Sequence, residues 1–76
     1  MKTCLDAYCE IKGWQGGTIH QCYEDFDKAS PQERDRICSY LVDNRSLIDD
    51  LKTVSYFTKR RMELTGLVIQ GVEAND

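Results

Sequence analysis

Cysteines 4, 9, 22 and 38 and the single histidine, His20, are the residues of this 76-residue chain best suited to chemistry. Thiolates and imidazole hold zinc, and a thiol beside an imidazole is a nucleophile. Structural zinc sites place their ligands in short pairs such as C-x2-C. Here the gaps are four, twelve and fifteen residues, so no metal is expected. His20 and Cys22 stand two apart, and side chains at that spacing on a helix do not face each other. A pairing of His20 with Cys9 or Cys38 across helices is spatial, and sequence alone leaves it open. The simpler expectation is that the thiols are reduced, small and buried, with His20 at the solvent edge.

Acidic residues form two clusters, Glu24-Asp25-Asp27 and Asp49-Asp50. General acid–base work needs two carboxyls at a set separation around a substrate. These clusters fall near helix ends instead. In the first turn of a helix, the place of Asp49-Asp50, negative charge is favourable without any catalytic role. No convergent set of acid, base, nucleophile or ligand emerges, so neither an enzyme nor a cofactor is expected.

The stretch Gly13-Trp14-Gln15-Gly16-Gly17-Thr18-Ile19-His20-Gln21 admits three uses. A phosphate cradle of the G-x4-G-K-[ST] type needs a lysine that is missing here. A dinucleotide loop needs a preceding strand, and this region reads as helix. The third use is DNA reading. Gly13, Trp14, Gln15 and the Thr18-Ile19 pair resemble the turn and second helix of helix-turn-helix regulators, over residues 5–26. That resemblance implies a DNA-binding regulator in which Gln15, Gly16, Gly17, His20 and Gln21 face the groove. Gln can bond an adenine edge in two places. Residues 13–27 hold no lysine or arginine, whereas most DNA affinity comes from cations on phosphates. Cations such as Lys12, Arg34, Arg36 and Arg45 would have to converge there. The same residues also make a plain joint: Gly13 ends one helix, Gln15-Gly16-Gly17 turns the chain, and Thr18 caps the next.

Lys59-Arg60-Arg61 is the densest basic run. Together with Lys52 it gives the outer side of the last helix a basic character. Tyr56 projects to that side among Lys52, Lys59 and Arg60. An exposed Tyr beside Arg is the chemistry of interface hot spots. Solvated charges complementing the helix dipole, with a Tyr stem lying along its neighbours, account for the same pattern.

The elements that must carry these residues are helical. Ser30-Pro31-Gln32-Glu33 opens a helix, with Ser as cap and Pro at the first position. Thr18 with Gln21 fits a capping box. The spacing predicts helices over 3–12, 18–27, 31–43 and 47–65, with Ser46 capping the last and Gly66 stopping it. That last helix has a broad apolar side: Leu47, Ile48, Leu51, Val54, Phe57, Met62 and Leu64. More than one neighbour must cover it, a second copy of the chain included. A β-hairpin across Gln15-Gly16-Gly17 is the competing local structure, but its flanks lack clean alternation. Leu67 is expected to fold back over the last turn, with a short extended segment after it.

The expected fold is therefore all-α, a compact bundle of three to four short helices in one domain over 1–72, with 73–76 as a frayed tail. A net charge of −3 suits a soluble protein and is not the footprint of a nucleic-acid binder. No apolar run approaches the ~20 residues that span a bilayer, and the N-terminus lacks the apolar block of a secretory signal. The expected address is the cytosol, without membrane contact. The expected function is a non-enzymatic regulator that binds another protein, itself as a homodimer included, through Tyr56, Lys59, Arg60 and Lys52. Small inhibitors and adaptors, those of mobile elements among them, share this size. The alternative is the helix-turn-helix DNA-binding regulator.

Overall fold

A computed structural model describes the backbone of residues 1–73 and the side chains of residues 1–66. Four helices follow in order: α1 Cys4–Lys12, α2 Ile19–Lys28, α3 Pro31–Asp43 and α4 Leu51–Glu73. A 3-10 turn, Arg45–Leu47, links α3 to α4. The all-α bundle read from the sequence is the observed fold. Among the described residues no strand forms, so the hairpin across residues 15–17 is absent.

The helix starts are set by short-range chemistry. The Thr3 hydroxyl accepts from Asp6 N–H, and the Asp6 carboxylate accepts from Thr3 N–H, closing a capping box on α1. Thr18 and Gln21 do the same for α2. Ser30 caps α3, with Pro31 at the first helical position. Each box satisfies two N–H groups that a helix start leaves without partners. Gly13 ends α1 at φ +74°, a left-handed conformation that glycine adopts without steric cost.

Two expectations about α4 are corrected. Its start is not capped by Ser46, and neither Leu47, which ends the 3-10 turn, nor Ile48, which is extended, belongs to it. Lys2 N–H donates to Leu47 O, and Asp49 N–H donates to Lys2 O, both at 2.9 Å. These bonds tie the N-terminus to the link as a parallel bridge between Lys2 and Ile48. Backbone groups used there cannot start a helix, so α4 begins at Leu51. Nor does Gly66 stop it. The backbone stays helical through Glu73, so residues 67–72 neither fold back nor run extended. A glycine inside a helix costs about 1 kcal/mol relative to alanine, and no proline follows to enforce an end. Of the expected frayed tail, residues 74–76 lie outside the described residues.

α3 and α4 form an antiparallel pair and the main packing contact, with Asp35 beside Arg61 and Cys38 beside Phe57. α1 packs mainly on α3 and also touches α2 and α4. The core gathers Cys4, Ala7, Tyr8, Cys22, Phe26, Ile37, Cys38, Leu41, Ile48, Val54 and Phe57. All four cysteines are buried and free. Phe57 is the aromatic hub: the rings of Tyr8, Tyr23, Phe26 and Tyr56 all centre between 5.1 and 5.6 Å from it.

Candidate protein-binding surface

α4 buries Val54 and Phe57 and leaves its opposite side open. Leu51 keeps 50% of its surface and Met62 63%, with Lys52, Ser55, Lys59 and Glu63 exposed beside them. The sequence reading placed Leu51 and Met62 on the inward side. At 100° per residue they lie about 20° from each other and about 120° and 140° from Phe57, well away from the buried centre of the helix. A helical wheel centred on Phe57 would have shown it.

Tyr56 borders the same side. It is 38% exposed, and its ring centre lies 4.4 Å from that of Tyr23. The ring is therefore partly open to solvent and partly packed against Tyr23. Arg60 is held as well. Its Nε and Nη2 donate to the two carboxylate oxygens of Asp27, at 3.0 and 3.2 Å. The fork geometry of guanidinium on carboxylate fixes the side chain. Lys52 and Lys59 make no ion pair among the described residues. The structure thus brings Tyr56, Lys59 and Lys52 to one outward side and turns Arg60 to the seam between α4 and α2. Tyr23 and Asp27, which hold Tyr56 and Arg60, were not legible as such. Each lies 33 residues away in sequence, on α2.

The glycine joint is a loop. Residues 13–18 separate α1 from α2, so Gln15, Gly16 and Gly17 lie outside any helix. They are exposed, as is His20, whose ring centre is 6.3 Å from that of Tyr23. The Gln21 side chain turns back, and its Oε1 accepts from Thr18 N–H at 2.9 Å. A groove-reading helix would begin only at Ile19, and Gln21 is occupied in capping it. Trp14 packs over the joint, its ring centre 5.6 Å from that of Tyr8, with shallow open hollows on either side.

Of the cations near the joint, Lys28 lines the hollow beside Gly16 and Gln21; the four named from the sequence stand as follows. Lys12 pairs with Asp25 at 3.2 Å and Glu33 at 3.6 Å. Arg36 also pairs with Glu33; its hydrogen bond, helped by the charge of Lys12, holds the Glu33 carboxyl below its ordinary value. Arg34 is only 8% exposed and donates to the Asp27 carbonyl near the end of α2. Arg45 belongs to the turn before α4.

Asp25, Asp27 and Asp50 of the acidic clusters are likewise occupied. Asp25 accepts from the buried Tyr8 hydroxyl at 2.5 Å as well as from Lys12. Asp50 accepts from Cys4 N–H at 2.6 Å, so it serves the start of α1 rather than that of its own helix. Burial pushes the Cys4 and Cys22 thiols up to about 12 and raises Cys38. At neutral pH these three are thiols, which are poor nucleophiles and poor metal ligands. No group of three or more His, Cys, Asp or Glu suited to a metal forms among the described residues. No helix of the described residues is long and apolar enough to cross a membrane. No family model, curated protein or solved structure matches the chain.

Proposed function

We propose that the chain is a non-enzymatic, protein-binding regulator whose contact surface is the outer side of α4. One observation carries this reading. Leu51 and Met62, half or more exposed, share a helix side with Lys52 and Lys59, and a half-held Tyr56 stands at its edge. A monomeric soluble protein has little reason to leave two large apolar side chains together on a helix packed into its core. Tilted packing against Tyr23 restrains the Tyr56 ring before any partner arrives, so less rotamer freedom is left to lose on binding. Aromatic and basic residues in such a setting are the types that dominate binding energy. The chain works in the cytosol, where its thiols stay reduced, and partner binding is its whole activity.

The test is retention of a partner from nuclease-treated extract of the native host. Wild-type protein is compared with Tyr56→Ala of equal helix content. The expected result is a protein retained after nuclease treatment and lost by the variant. Release of every partner by nuclease would contradict the reading.

A further inference from the structure

We propose that a second copy of this chain covers the apolar edge of the α4 surface, in an antiparallel pair. The inference rests on the reading of α4 as a contact surface and assigns one part of it. Leu51, Ser55, Met62 and Gly66 fall within about 60° on a regular helix. Tyr56 lies about 80° beyond that sector, so its ring stands outside the paired stripe.

The order along the stripe is large, small, large, small, at spacings of four, seven and four residues. That order is its own complement when reversed. In one antiparallel register Leu51 sits opposite Gly66 of the second copy, and Ser55 sits opposite Met62. Both relations then repeat by symmetry, as a two-fold interface requires. A parallel pair would instead set Leu51 on Leu51 and Met62 on Met62. A Cβ built at Gly66 would meet nothing within 4 Å, so that position has room for the incoming Leu51.

Charge agrees with the same register. Lys52 of one copy comes within two residues, or about 3 Å along the axis, of Glu63 of the other. Both are exposed, neither has an ion pair among the described residues, and the contact occurs twice. Both residues lie on the same flank of the stripe, which is where an antiparallel two-fold brings the two copies together. Lys59 is the exception. It lies beside the two-fold and meets its own copy, so the pairing predicts that removing its charge strengthens association.

Sedimentation velocity across micromolar to millimolar protein tests this directly. The expected wild-type species has the mass of two chains. Leu51→Glu and Gly66→Leu should each weaken association by about tenfold or more. Gly66→Leu should do so while raising helix stability, which separates a blocked interface from a damaged fold. Lys52→Glu should weaken association, and adding Glu63→Lys should restore it; Lys59→Ser should strengthen it. A wild-type chain that stays monomeric, a dimer indifferent to Gly66→Leu, or a charge swap that fails to rescue would each overturn the proposal. Tyr56→Ala leaves the stripe intact, so partner loss in that variant is read independently of the dimer.

Discussion

The rings of Tyr23 and Tyr56 lie 4.4 Å apart between centres, tilted by 51°, and join α2 to the outer edge of α4. Burial, with Tyr56 adding to it, raises the Tyr23 phenol above its ordinary pKa. A tilted aromatic pair contributes about 0.5–1.5 kcal/mol beyond the area it buries. A double-mutant cycle of Tyr23→Leu and Tyr56→Ala, read by urea unfolding, should return a coupling of that size. Strictly additive losses would show that the two rings are neighbours without mutual stabilisation.

The glycines of the joint should respond to alanine in three different ways. Gly13 has φ +74° and open space around it, so its substitution strains the backbone alone and should cost about 1 kcal/mol. Gly16 has no atom within 4 Å of a built Cβ and no left-handed φ. Its replacement should stabilise by about 0.4–1 kcal/mol, through the unfolded chain. At Gly17 a Cβ would stand 2.7 Å from Gln21 Oε1, the atom that caps Thr18 N–H. That variant should lose the cap and about 0.5–1 kcal/mol with it. Thermal melts of the three variants give the order directly.

Tyr8 is wholly buried, and its hydroxyl has Asp25 as its acceptor. Tyr8→Phe removes donor and demand together and should cost about 1 kcal/mol. Asp25→Ala leaves the hydroxyl buried without an acceptor and Lys12 without one of its carboxylates, and should cost about 2–3 kcal/mol. Chemical denaturation of the two variants should show the larger loss at Asp25.

The thiols predict a one-sided pH dependence. Cys4 and Cys22 rise from an ordinary 9.0 to about 12 on folding. The unfolded chain therefore releases these protons first as pH climbs. Their contribution to stability is complete below pH 9 and is lost as pH rises from there toward 12. The urea midpoint should be insensitive to these groups between pH 6 and pH 8 and fall in the alkaline range. A thiol reagent at pH 8 should modify Cys4 and Cys22 only as fast as the protein opens.

Much of the fold is legible in the sequence because its helix starts are local. Thr18 with Gln21, and Ser30 with Pro31, announce α2 and α3 within one residue of where they begin. The start of α4 is not legible in this way, since Lys2, 46 residues from Ile48, takes the backbone groups that Ser46 would have capped. Asp50 is misread for the same reason, as it serves Cys4 N–H across the bundle. Gly66 resembles a stop because glycine usually is one. Nothing after it competes with the helix.

The candidate surface is legible in part. Helical register alone places Tyr56, Lys59 and Lys52 outward. It does not show that Asp27 draws Arg60 aside or that Tyr23 holds Tyr56, since both partners come from α2 through tertiary packing. The breadth of α4's apolar side is visible in the sequence, and so is the need for more than one neighbour. A helical wheel centred on Phe57 sets Leu51 and Met62 aside, and in the fold both keep half or more of their surface.

Photo-crosslinking tests the surface most directly. A photoreactive residue at Ser55, in the middle of the outer side of α4, is compared with one at Gln15 in the glycine loop, both in extract of the native host. The account predicts protein adducts from position 55, twice-mass self-adducts among them, and none from position 15. Adducts confined to position 15, or nucleic acid captured there with nothing at 55, would contradict it.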